Sequence, residues 1–287
     1  MHRFTGRRVL LTGAGSGIGQ ATTLRLLAEG ATVFATDISA DGLARTAERA
    51  ARDTGAGRDA TGDDTTGDDN AAQDTTAQDN AGSGGLAGRL ATAVMDVSHE
   101  PSVQAVVAAA VSRLEGLDVL INAAGILRGA HTHDCGLDLW NEVLAVNLTG
   151  TFLVTREALP ALLTSEHPVI VNFSSTSASF AHPYMAAYAA SKGGIQSFTH
   201  AIALEYSRQG LRAACVVPGG IDSALTRNIA SHMPTDVDPK LFTKLRPAIG
   251  KGYGPPESVA AVVAMLASDD GAFITGTEVR VDGGTHQ

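Results

Sequence analysis

Tyr188 and Lys192 stand four residues apart in Tyr188-Ala189-Ala190-Ser191-Lys192, the spacing that puts two side chains on one helical face. An ammonium held beside a phenol stabilises the phenolate, so such a tyrosine can exchange a proton far closer to neutral pH than a free phenol. Taken alone, the pentapeptide is more simply an amphipathic helix with a surface lysine and a half-buried tyrosine. The rest of the chain must decide.

A second group with chemical meaning is Gly13-Ala14-Gly15-Ser16-Gly17-Ile18-Gly19, between the apolar run Arg8-Val9-Leu10-Leu11-Thr12 and a stretch of helical period. Gly13, Gly17 and Gly19 let backbone approach a pyrophosphate, and the helix start beyond them offers free N–H groups and a positive dipole end. Asp37 ends the next strand, Thr32-Val33-Phe34-Ala35-Thr36-Asp37. A carboxylate there can hold the adenosine ribose hydroxyls and repels a 2′-phosphate, and no base follows in Ile38-Ser39-Ala40. The pattern favours NAD over NADP.

These groups need a scaffold, and the chain supplies seven apolar strands alternating with helices. The later strands read as 90–95, 117–121, 169–173, 212–217 and 278–281. Helices are expected over 101–114, over 138–148 and from there to 163. The expectation is a single doubly wound α/β domain of the Rossmann type: a parallel sheet of about seven strands with helices on both faces. Ligands of such sheets bind beyond the carboxyl ends of the strands. That rule gathers the Gly13–Gly19 turn, Asp37, Asp96, Asn122, Ser175 and the 218–223 segment along one edge.

Composition limits the rest. Of 287 residues 44% are hydrophobic, so a large core is within reach, and 32 are glycine. No apolar run approaches the ~20 residues of a membrane span, and the N-terminus lacks signal-peptide anatomy. Cys135 and Cys215 lie far apart with no ligand spacing around them, which fits a reducing cytoplasm and no metal. Net charge is −9, unsuited to nucleic acid. Most of that charge comes from one segment, 53–88, with eight aspartates, one base (Arg58), one large aliphatic (Leu86) and near-repeats of Thr-Gly-Asp-Asp and Ala-Gln-Asp. Without it the charge is −2. So few apolar groups do not offset the entropy of ordering, and a disordered insert is expected. A calcium loop is not, because the Asp-x-Asp-x-Asp-Gly pattern with a distal Glu is missing.

Outside that insert the chain resembles the short-chain dehydrogenases/reductases over its whole length. The resemblance rests on Thr12-Gly13-Ala14-Gly15-Ser16-Gly17-Ile18-Gly19, Asp96-Val97, Asn122-Ala123-Ala124-Gly125 and Asn147. It continues with Ser175, thirteen residues before Tyr188, then with Tyr188-x-x-x-Lys192 and Pro218-Gly219-Gly220-Ile221. It implies that Tyr188 is the proton donor or acceptor at the substrate oxygen, and that Lys192 lowers its pKa and holds the nicotinamide ribose. It implies that Ser175 binds the reacting oxygen and that Asn147 anchors a water beside Lys192. Ser174 could be mistaken for Ser175, and the spacing selects the latter. Asn122, Ala123 and Gly125 fall on the adenine side. Ser223 replaces the family's threonine and keeps a hydroxyl for the cofactor beside Pro218, Gly219 and Ile221.

The expected activity is NAD(H)-dependent interconversion of a secondary alcohol and a ketone. An NADPH-dependent reductase of 3-oxoacyl thioesters is the alternative, and a nucleotide-sensing protein without turnover would have lost Ser175, Tyr188 or Lys192. A substrate lid is expected over 223–253, where Leu225, Ile229, Met233, Leu241, Phe242 and Leu245 either line an apolar pocket or pack the lid down. His182, Tyr184 and Met185 fall at the same mouth, whereas His131 and His133 are read as solvated loop residues without a role. Relatives of this kind are commonly homo-oligomers, tetramers or dimers, built on the Tyr188 helix and the last strand.

Overall fold

A computed structural model describes residues 2–55, 86–243, 245–250 and 252–286. The strands are β1 (Arg8–Thr12), β2 (Thr32–Asp37), β3 (Leu90–Val94), β4 (Val119–Asn122), β5 (Val169–Phe173), β6 (Arg212–Pro218) and β7 (Glu278–Val281). They form one sheet in the order β3-β2-β1-β4-β5-β6-β7. Every pairing is parallel. The chain lays strands outward from β1 in one direction, then returns to start again at β4. Between β1 and β4 the loops diverge and leave the crevice in which ligands of such sheets bind.

The central strands are apolar throughout because both faces are covered. Alternate residues of β1 serve opposite sides. Val9 and Leu11 join Leu26 and Leu27 of α1 (Gly17–Ala28), Leu43 of α2 (Ala40–Gly55) and Val259 and Val263 of α8 (Pro256–Ala267). Leu10 joins Val103 and Val107 of α3 (Glu100–Leu114), Leu153 of α5 (Gly150–Leu162) and Ile202 of α6 (Ala186–Glu205). At the lower edge Arg8 grips Asp118 with its backbone N–H at 2.9 Å and its guanidinium at 2.7 Å, tying β1 to the start of β4.

Several boundaries differ from the sequence reading. The helix expected over 138–148 is α4 (Leu137–Leu144) followed by a wider π turn, Ala145–Thr149, which carries Asn147. α8 is apolar on nearly every side, so its period carries no contrast and the sequence reading leaves it unassigned. α2 runs through Gly55, and Leu86–Arg89 forms a 3-10 turn, so both ends of the segment read as a disordered insert are ordered. Residues 56–85, where the rest of that expectation falls, lie outside the described residues. The 223–253 stretch holds the short α7 (Ala224–Arg227) and 3-10 turns at Ile229–His232 and Pro239–Phe242.

Candidate active site

The glycine turn is built by close approach. Gly13 and Gly17 have φ of +74° and +52°, the left-handed region that costs glycine nothing. A Cβ on Gly13 would stand 2.7 Å from the Ala124 nitrogen, and one on Gly15 would stand 2.8 Å from the Asp37 carboxyl carbon. Thr12 Oγ1 accepts the N–H groups of Ala123 (3.2 Å) and Ala124 (3.1 Å), joining the loops after β1 and β4. Asp37 Oδ2 accepts the Gly15 N–H at 2.8 Å, and its Oδ1 accepts that of Ser39 at 2.9 Å. No side chain caps the start of α1. This turn, packed too closely at Gly13, Gly15 and Gly19 for a Cβ and lying beside a carboxylate, fits the pyrophosphate and ribose of a dinucleotide.

The turn belongs to a cavity of about 340 Å³, lined by every residue given a catalytic or cofactor role above except Asn122 and Asn147. Those two amides turn into the protein. Asn122 Nδ2 donates to Thr155 Oγ1 (3.0 Å) and to Asn172 Oδ1 (2.8 Å). Asn172 Nδ2 donates to Thr199 Oγ1 (2.8 Å), and the Cys215 thiol donates to the same hydroxyl (3.2 Å). The result is a buried polar chain through β4, β5, α6 and β6. Asn122 thus braces the sheet below the site and does not line the cavity. Asn147 is fully buried in its π turn; its Oδ1 accepts the Ile126 N–H at 2.8 Å, and its Nδ2 donates to the Ile126 carbonyl at 3.0 Å. It holds the β4 loop in place from beneath.

At the other end stand Ser175, Tyr188 and Lys192. Ser175 begins a 3-10 turn after β5 and accepts the Ser177 N–H (3.2 Å). The Ser175 hydroxyl lowers the Tyr188 phenol pKa and lines the same cavity. Ser174 also lines the cavity, but it is buried and its hydroxyl donates to the Lys192 carbonyl at 3.0 Å, which anchors it to α6. Lys192 Nζ donates to the Phe173 carbonyl at 2.8 Å and lies 5.7 Å from the centroid of the Tyr188 ring. Burial lowers the Lys192 ammonium from 10.5 to about 8. Tyr188 departs from expectation: burial raises its phenol above the usual value, and the Ser175 hydroxyl offsets only part of that. Here the lysine serves a backbone carbonyl, so desolvation of the phenol dominates.

Above Tyr188 lies a separate apolar cluster of Leu127, Val143, Met185, Ala187 and Tyr188 itself. Leu225, Ile229, Met233 and Phe242 of the lid and Trp140 of α4 pack against it, whereas Leu241 is 53% exposed. Four of the six lid residues thus pack down onto the cluster around Tyr188, and of these only Leu225 also lines the cavity. His182 is bonded to the Phe180 carbonyl (3.1 Å), outside the cavity wall, and burial lowers its pKa. His131 is not an idle loop residue: its Nε2 meets Asp236 Oδ1 at 2.9 Å. Sequence reasoning also missed Thr226, which lines the cavity and accepts the Ser223 N–H at 3.0 Å. A hydroxyl three residues beyond Ser223 was the available sign.

The chain matches two family models, one described as short chain dehydrogenase over residues 7–88 and one as Enoyl-(Acyl carrier protein) reductase over residues 65–286. It is 32% identical to the 3-oxoacyl-[acyl-carrier-protein] reductase FabG of Thermotoga maritima over 98% of each chain. Identity is also 32% to 3beta-hydroxysteroid dehydrogenase 1 of Eggerthella lenta, over 97% of this chain and 93% of that one. The crystal structure of levodione reductase superposes with a TM-score of 0.80 at 30% identity, covering 98% of each chain.

Proposed function

We propose that this chain, which belongs to the short-chain dehydrogenase/reductase family of oxidoreductases, transfers hydride reversibly between NAD(H) and a secondary alcohol or ketone. The observation that carries this reading is the placement of Ser175, Tyr188 and Lys192 at one end of a glycine-lined cavity with Asp37 in the same wall. The nicotinamide, when bound, supplies or accepts the hydride. The chain's own part is the proton. Tyr188 holds it at the phenol oxygen, and its raised pKa keeps it there at neutral pH, ready for a ketone oxygen. Ser175 fixes that oxygen by hydrogen bonding. Lys192, charged below about pH 8, places a cation behind the pair and is positioned to meet the ribose. Asn147 and Asn122 keep the β4 loop and sheet rigid beneath them. Gly13, Ser16, Gly17, Ile18, Gly19, Asp96, Val97, Ala123, Gly125, Pro218, Gly219, Ile221 and Ser223 form the cofactor's walls in this reading.

Asp37 supports NAD, because a second anion beside it would meet uncompensated repulsion. The apolar cluster around Tyr188 supports a largely apolar substrate. A homo-oligomer in the cytoplasm belongs to the same reading. Cys215 is a buried free thiol, and Leu137, Phe152, Leu204 and Phe273 leave apolar surface for a second copy. Among the described residues no helix is long and apolar enough to cross a membrane.

The test is initial rates with NADH and with NADPH on a panel of ketones, beside Tyr188→Phe. NADH is expected to win by more than roughly tenfold, the factor for ~1.4 kcal/mol of repulsion, and Tyr188→Phe is expected to stop turnover while still binding NADH. Strong NADPH preference would overturn the NAD assignment, and loss of NADH binding in Tyr188→Phe would overturn the division of roles. The likeness to the Thermotoga maritima 3-oxoacyl-[acyl-carrier-protein] reductase favours one other reading, a 3-oxoacyl-thioester reductase, which in this reading would draw on NADPH. NADPH-driven turnover confined to acyl thioesters would establish it.

A further inference from the structure

Two non-glycine residues among those described have left-handed φ, Glu115 and Tyr184. Glu115 ends α3, a usual place for that conformation. Tyr184, at φ +65°, lies in a turn two residues before α6 and four before Tyr188, where a bulky side chain is strained. Such strain persists only where the surroundings over-determine it. Around Tyr184 they do. Its phenol oxygen accepts the Asp238 N–H at 2.9 Å, and its carbonyl accepts the Ala130 N–H at 2.9 Å. Its ring meets His131 edge-on at 5.0 Å and stacks against Phe242 at 6.0 Å. The same two segments touch again beside it, where the Gly129 N–H donates to the His232 carbonyl at 2.7 Å and His131 bonds Asp236.

We infer that Tyr184 is a positioning residue that latches the lid onto the β4 loop and the start of α6, closing the apolar chamber over Tyr188. It acts on substrate affinity, because its contacts go to the lid and the chamber wall, and it touches neither Ser175 nor Lys192. This rests on the reading of Tyr188 as the proton-transfer residue. The adjoining Met185 is buried in the same cluster as Tyr188, so the strained turn fixes where the chamber wall and α6 begin.

The test compares Tyr184→Phe and Tyr184→Asn in the full chain by hydrogen–deuterium exchange and by steady-state kinetics. Tyr184→Phe keeps the ring and removes the acceptor for the Asp238 N–H. Exchange across 236–239 is expected to quicken by roughly fivefold, the factor for one ordinary net hydrogen bond. Tyr184→Asn tolerates the left-handed turn and removes both ring contacts. Exchange across 229–243, and KM for an apolar ketone, are each expected to rise roughly tenfold or more, with kcat and the KM for NADH within about twofold. Lid exchange in Tyr184→Asn equal to the wild type would overturn the latch. So would a fall in kcat at unchanged KM. A wild-type chain that turns over no ketone would overturn the proposed function instead, and the exchange measurement would still decide the latch.

Discussion

Lys192 is kept in the site at a cost to the fold, and that cost is measurable. Burial moves its ammonium from 10.5 to about 8. Between those values the unfolded chain holds a proton that the folded chain has released, so stability rises with pH across that window. Below pH 8 the whole penalty applies, about 3 kcal/mol at 1.36 kcal/mol per pH unit. Lys192→Met removes it while filling a similar volume. The substitution also strips the Phe173 carbonyl of its 2.8 Å donor, a loss of about 1–2 kcal/mol for a buried acceptor. The variant should therefore lose activity yet be more stable at pH 7 by about 1–2 kcal/mol, with Tm higher by roughly 2–4 °C.

Two neighbours oppose the trend in the wild type at higher pH. Burial also holds the Cys215 thiol up at about 11 and raises Tyr188, so the unfolded chain loses those protons first and stability falls. The difference between variant and wild type isolates Lys192. It should narrow by about 1 kcal/mol between pH 7 and pH 9. Urea unfolding at fixed protomer concentration, read by fluorescence of Trp140, the single tryptophan, measures it. A variant less stable than the wild type at pH 7, with a difference that ignores pH, would refute the assignment of a desolvated cation.

Three further outcomes are expected. Ser175→Ala should reduce kcat by roughly 10²–10³-fold with little change in stability. Ser174→Ala, which removes the 3.0 Å bond to Lys192, should instead cost about 1 kcal/mol in unfolding, and comparing the pair by kinetics and calorimetry checks the division. Asp118 is raised by burial, but hydrogen bonds from Arg8 and Ser165 together with the Arg8 charge bring it down to about 2. Stability should therefore be full above pH 4 and fall by about 2 kcal/mol between pH 4 and pH 2, a slope absent from Asp118→Asn in acid titrations by circular dichroism. Replacing 56–85 by a short glycine–serine linker should preserve activity and Tm, since the helix and turn it joins pack against each other; a soluble but inactive product would contradict this.

The strands and the glycine turn were legible because each is a local pattern. Val169–Phe173 and Glu278–Val281 fall where their β-branched runs end. β4 was read two residues early because Leu117 is as apolar as the strand but unpaired. Spacing singles out Asn122, at the end of β4, and Asn147, in the π turn, without giving the direction of either side chain. Asn122 is turned by Thr155 and Asn172, which lie 33 and 50 residues away. His131 gained a partner, Asp236, from 105 residues downstream, in a lid whose composition suits a loose loop as well as a clasp. Tyr184 is the extreme case, because its residue type argues against the backbone it adopts.

The buried chain from Asn122 through Asn172 and Thr199 to Cys215 has an evolutionary consequence. Asn122 Nδ2, Asn172 and Thr199 depend on one another, although Asn122 Oδ1 is buried without a partner, so a single replacement strands a further polar group in the core, whereas exchanging several for apolar residues of matching shape leaves none. Descendants of this chain should therefore inherit Asn122, Asn172 and Thr199 as one unit or replace them together. Chimeras that join β4 from one lineage to β5 and α6 from another should fold only when the sets agree.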